Sequence, residues 1–176
     1  MIFKHTWIAV LVFAAGIAFI VSPARGQPSK PPLKNSCIKC HNLMGGKLKA
    51  PVEKMRNDRH AEVGLSCADC HGGDPTTLDI MAAKSKAKGF RGAPKPVEIP
   101  GFCGTCHGHL EYMRKFNPSM PVGQLSAYIT SVHGMKLAKG DIKVATCVSC
   151  HGSHSVLQSS KISSPTYPAN VAKTCG

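Results

Sequence analysis

The chain has 176 residues, nine of them cysteine, with 6% aromatics and 22 Lys and Arg against nine Asp and Glu. Its only tryptophan is Trp7, while glycine and proline are plentiful, so large apolar side chains are too few for an ordinary core of packed helix or sheet layers. The basic excess would fit nucleic acid, but no basic-aromatic face is visible and the start of the chain reads as a leader for export, so no nucleic acid is expected.

Residues 1–24 form the predicted signal peptide. Lys4 and His5 give a positive start, Trp7 to Val21 is an apolar run, and Ser22, Pro23 and Ala24 supply small residues for cleavage. The run is shorter than the roughly 20 residues that span a bilayer as a helix. The alternative is an uncleaved anchor, which would place the protein on the periplasmic face of the inner membrane. Otherwise it is periplasmic or extracellular. Residues 25–36 read as a linker.

Four copies of one word then follow. Cys37, Cys40 and His41 sit in CIKCH, and Cys67, Cys70 and His71 in CADCH. Cys103, Cys106 and His107 sit in CGTCH, and Cys147, Cys150 and His151 in CVSCH. Cys-x-x-Cys-His is the attachment site of a c-type haem. Two thiols on one turn form thioethers to the two vinyl groups, and the next histidine binds the iron from beneath. Paired CxxC words can also hold zinc, or act as a redox or structural disulfide. Neither needs a histidine after every second cysteine, and four such neighbours arise by chance about once in a hundred thousand. Four haem c groups are therefore expected.

Haem also accounts for the charge and the missing core. Removing Lys4 leaves 21 basic residues against nine acidic ones, and eight propionates bring that excess down to about +4 with the irons reduced. With roughly forty residues per haem, the porphyrins become the interior. The predicted fold is a multihaem cytochrome c, with short α-helices and irregular loops wrapped around stacked haems and little or no β-sheet.

Two dihaem units are expected, at 37–91 and 102–174, joined by the Pro-rich stretch 92–101. They form an internal repeat. A word at 37 is followed by His60 and a word at 67, and a word at 103 by His133 and a word at 147. The spacing makes Cys175 the first letter of a fifth, truncated word at 175–176. The alternative is a lone thiol, free or intermolecular.

The spare histidines are candidates for the sixth iron position. His60 falls near the end of a predicted helix from about Pro51 to Gly64. His133 follows Leu125, Tyr128, Ile129 and Val132, which recur at helical spacing. A surface histidine is the alternative for either. His109 and His154 follow proximal histidines too closely to reach round their own haem, so each would serve a neighbour. Met113 and Met120 compete with His109, and Met44 is weaker, since most methionines are core filler. Lys84, Lys86, Lys88, Arg91 and Lys95 form a basic cluster, read either as a docking patch for an acidic redox partner or as a solvated face balancing propionates.

RHAEVGLSCADCHGGDP, GFCGTCH with EYMRKFNPSM, SVHG and CVSCHGSH resemble segments of exported multihaem c-type cytochromes of bacteria, over residues 35–176. The resemblance implies distal ligation by His154, whose CHGSH pattern bears a ligand in that group, and supports His60 and His133. It implies an electron carrier, mostly bis-histidine ligated and of low potential. Two other functions stay open. One is part of a multihaem reductase or oxidase of small nitrogen or sulfur compounds, needing an iron with an open position. The other is a membrane-anchored quinol dehydrogenase, needing an uncleaved leader.

Overall fold

A computed structural model describes residues 35–176; the signal peptide at 1–24 and the linker up to residue 34 lie outside the described residues. Within them the chain is a succession of short helices with no strand, as expected. The four word-bearing helices are α1 (Ser36–Met44), α4 (Cys67–His71), α6 (Ile99–His107) and α10 (Cys147–His151). Between them lie α2 (Gly46–Lys54), α3 (Arg59–Glu62), α5 (Ile80–Ala83), α7 (Leu110–Arg114), α8 (Gln124–Thr130) and α9 (Val132–Ala138), and α11 (Val171–Cys175) closes the series.

Local chemistry starts and stops the word helices. Asn35 Oδ1 accepts from Ile38 N at 2.9 Å to cap α1. Asp69, at the third position of α4, accepts from Ser66 N at 2.6 Å, and Ser149 Oγ in α10 accepts from Thr146 N at 3.0 Å. The residue just before the second cysteine thus closes the cap. Gly72 (φ 69°, ψ −161°) and Gly152 (φ 74°, ψ −175°) follow the word histidines in a backbone region that is essentially glycine's alone. That turn throws the chain sideways after one and a half helical turns.

Two predicted helices are broken where they were expected to run on. The first begins at Gly46, not at Pro51, which lies inside α2. A 3-10 turn, Met55–Asn57, follows, and Asp58 then turns extended (φ −85°, ψ 136°). Its side chain accepts from His60 N and restarts the chain as α3. The second is cut at Ser131 (φ −74°, ψ 163°), whose Oγ accepts from Gly134 N at 3.1 Å to cap α9. Leu125, Tyr128 and Ile129 stay on α8, while Val132 belongs to the next helix and is exposed. Both candidate histidines consequently occupy the same place, two residues after a side-chain cap.

Among the described residues, the buried large apolar side chains are Val52, Met113 and Leu137, whereas Leu43, Ile80, Met81, Ile129 and Ile162 are among many left exposed. The side chains buried most completely are polar: Asp58 and Ser164. Protein atoms alone make no continuous apolar core among these residues, and the fold is held locally. Helix α1 packs on α2, α8 on α6 and α9, and α10 on α6. The stretch after α5 loops back around the second word, with Gly73 N donating to Lys88 O and Arg91 N to His71 O, both at 2.9 Å. Residues 58–62 meet residues 156–161 through Arg59 N to Val156 O at 2.7 Å and Lys161 to Glu62 at 2.9 Å. The Pro-rich stretch 92–101 is partly helical: Pro96–Glu98 forms a 3-10 turn that leads into α6. Pro168–Asn170 leads into α11 in the same way, and Cys175 is the fifth residue of its helix, as Cys103 is of α6.

Candidate functional site

Each word lies wholly within an α-helix. Positions i, i+3 and i+4 share one helical face, so both sulfurs and the imidazole of a word are presented together. The cysteines of all four words are free thiols of intermediate exposure, and Cys175 is exposed. Among the described residues, no three His, Cys, Asp or Glu side chains converge as a zinc site requires.

The words lie side by side in chain order. Burial, then the nearby Cys37 thiol, raises the Cys67 thiol, and burial, then Cys106, raises Cys70. Cys103 and Cys147 share a hydrogen bond, which pushes Cys103 up and brings Cys147 down to about 7. Thiols of the first and second words, and of the second and third, are thus near enough to feel each other's charge, and α10 with the fourth word packs on α6 with the third.

Two histidine pairs form across this row. The His60 and His107 rings lie 6.0 Å apart, centre to centre, at 81°, and the His71 and His154 rings 6.0 Å apart at 21°. Each pair joins one word histidine to one spare histidine from a distant part of the chain. A metal–imidazole bond is about 2.0 Å and each ring centre lies about an ångström beyond its nitrogen, so two imidazoles on opposite sides of one metal have centres about 6 Å apart. Both observed separations are compatible with a shared iron.

Nδ1 is bonded in three of the four paired rings, those of His60, His71 and His154, and in His41. His71 Nδ1 donates to Gly92 O at 2.7 Å, and His41 Nδ1 to Leu48 O at 2.9 Å. A carbonyl can only accept, so the proton sits on Nδ1 and the Nε2 lone pair is left for a metal. His60 Nδ1 bonds Asp58 Oδ1 at 2.9 Å, and His154 Nδ1 bonds Ser153 Oγ at 3.2 Å. Burial, then the His60 and His151 rings, lowers the His107 pKa, and burial, then His71, lowers that of His154. Both favour the neutral imidazole, the form that ligates metals.

Asp58 is the residue that sequence reasoning missed. It is 0% exposed. Burial raises its pKa, but hydrogen bonds from the His60 ring, Val156 N and His60 N outweigh that and hold the carboxyl below its usual range. The available signal was an Asp two residues before a histidine at a helix start, which reads as an N-cap. The carbonyls of Leu48 and Gly92 had no signal in the sequence.

The remaining candidates are placed differently. His133 is exposed on α9, and His109 is the exposed residue that starts α7. Among the described residues, neither makes a ring contact with His41 or His151. Met113 is buried in α7, Met120 is half-buried, and Met44 Sδ accepts weakly from Cys40 Sγ at 3.8 Å. In the basic cluster, Lys88 is paired with Asp74. Arg91 Nε donates to Cys70 O at 2.9 Å, and its guanidinium lies 4.3 Å from the Phe102 ring centre, which in turn sits 5.5 Å from the His71 ring. Arg91 thus buttresses the second word. Lys84, Lys86 and Lys95 are exposed, and their ammonium groups make no ion pair among the described residues, although Lys95 N donates to Glu98 Oε2 at 2.7 Å.

Paired thiols beside each word histidine, Nδ1-anchored imidazoles and histidine pairs at metal-bridging separation fit covalently attached haem. These features define a multihaem c-type cytochrome. The chain belongs to the cytochrome c3 family, whose model matches residues 59–155, more than half of it. It is an electron-transfer protein with covalent c-type haem. Comparison with curated proteins and with solved structures gives no match. No helix among the described residues is long and apolar enough to cross a membrane.

Proposed function

We propose that the chain carries four haems in a row and conducts electrons along it between exported redox partners, in the periplasm or outside the cell. The haems, held by Cys37 and Cys40, Cys67 and Cys70, Cys103 and Cys106, and Cys147 and Cys150, supply one-electron chemistry. His41, His71, His107 and His151 are the proximal ligands. His154 would complete the haem site of His71, and His60 that of His107. The observation that carries this reading is the pair of 6.0 Å histidine–histidine separations, each joining a word to a spare histidine.

The protein residues fix everything else. Gly92 O and Leu48 O orient proximal rings, and the capped word helices hold sulfur and nitrogen on one face. Neighbouring words lie near one another, which would keep the row continuous and the gaps for transfer short. Because each pair takes one ligand from 37–91 and one from 102–174, neither half completes its central site alone. Two nitrogen donors on an iron keep its potential below that of a His/Met centre. Lys84, Lys86 and Lys95 offer a positive face to an acidic partner, and their charge steers its approach.

Intact mass of the exported protein, before and after acidified acetone, tests the reading. The expected result is four covalent haems that acid acetone does not remove, with a mature start near Arg25. Fewer than four haems, or pigment that washes away, refutes it.

A further inference from the structure

Asp58 touches two of these sites at once. Oδ1 accepts from His60 Nδ1 at 2.9 Å and from His60 N at 2.7 Å, while Oδ2 accepts from Val156 N at 2.7 Å. Val156 stands two residues beyond His154, and its carbonyl accepts from Arg59 N at 2.7 Å. A fully buried carboxylate is costly to desolvate unless its lone pairs are filled, and here three N–H donors fill them. Among the described residues, its only ion-pair contact is the His60 ring itself.

The repeat supplies a contrast. Ser131 holds the position before His133 that Asp58 holds before His60. Its hydroxyl donates to Tyr128 O at 2.7 Å and accepts from Gly134 N, and it makes no bond to the His133 ring. A serine there is sufficient to start the helix. The carboxylate does more than cap.

We propose that Asp58 is a positioning residue shared by two adjacent haem centres: one oxygen fixes and polarises the His60 ring, and the other pins the segment that presents His154. This rests on the ligand pairing proposed above. A carboxylate accepting from Nδ1–H makes an imidazole more basic at Nε2 and strengthens its bond to metal. The more basic ligand favours the ferric iron, so the centre of His60 and His107 has its potential lowered. The second oxygen ties the segments of two distal ligands to one carboxylate, so loss of Asp58 itself disturbs the placement of both.

The test uses the full-length holoprotein with Asp58→Asn and His60→Ala variants, followed by redox titration with EPR detection. The Asp58→Asn change keeps one acceptor for the ring, removes the charge and opposes a donor amide to Val156 N. In D58N, the haem of His107 should show at least a tenfold higher reduced-to-oxidised ratio at fixed potential, a positive shift of about 59 mV or more. All irons should stay low-spin, and the haem of His71 should change its EPR line shape. H60A should turn the haem of His107 high-spin. High-spin iron in H60A with unmoved potentials in D58N overturns the role of Asp58 and spares the pairing. Low-spin iron throughout H60A overturns the pairing, and the role of Asp58 with it.

A second measurement needs no variant. In the unaltered holoprotein, the Nδ1 proton of His60 should exchange with solvent at least tenfold more slowly than that of His133. Equal exchange refutes the buried hydrogen bond.

Discussion

On the proposed pairing, replacing His154 with alanine should remove one imidazole from one iron and leave the other irons as they were. His71 makes ring contacts with His154, 6.0 Å away, and with Phe102, which has no donor atom. Among the described residues, no other histidine ring contacts His71. The magnitude is therefore one haem: reduced H154A should bind one equivalent of carbon monoxide more than the parent. The ferric low-spin signal should fall by the same single haem. His60→Ala should do likewise at the iron of His107, and the double variant should gain two equivalents, because no histidine belongs to both pairs and Asp58 keeps its bond to Val156 N in either single variant. The EPR signals lost should differ. Rings at 21° split the iron orbitals and give a rhombic spectrum, whereas rings at 81° leave them nearly degenerate and give one very large g value. H154A should lose the rhombic signal, and H60A the large-g signal. No added carbon monoxide in either variant, or loss of the same signal in both, would refute the pairing and the 6.0 Å argument beneath it.

Two further outcomes concern stability. Gly152→Ala should destabilise the holoprotein by about 1–3 kcal/mol, the strain of a side chain in that backbone region. Gly72→Ala should exceed this, because its added carbon would lie 2.0 Å from Gly89 O and push away the loop that supplies Gly92 O to His71. Denaturant melts followed at the Soret band, with equal losses in the two variants, would contradict the close approach. The second outcome concerns pH. Lys161, then Arg59, holds the Glu62 pKa below its usual 4.5. A depressed folded value means that the contribution is complete above about pH 4.5 and is lost as pH falls through the folded value. Glu62→Gln should cost about 0.2–1 kcal/mol at pH 7, as expected for exposed pairs, and less in high salt. The gap between E62Q and parent should close in acid, and a gap that persists at pH 2 would contradict this.

Much of the site was legible because a haem word is a local object. Cys67, Cys70 and His71 need one helical turn to face the same way, and the cap that starts the turn, Ser66 with Asp69, is also local. The scarcity of large apolar residues foretold an interior not made of side chains, and the few buried apolar residues agree with it. The helix breaks at Asp58 and Ser131 were misread because apolar spacing ran on past a polar side chain able to restart the backbone.

The sequence by itself determined what is attached and where the thiols sit, since those depend on spacing along a few residues. It also marked His60, His133, His154 and His109 as candidates for the sixth position, without saying which haem each would serve. Tertiary structure alone decided that His60 meets His107 and His154 meets His71. It alone brought Asp58 to Val156, 98 residues away. Contacts between distant segments depend on how the loops close and which polar groups they bury together, and no local pattern of residues encodes that.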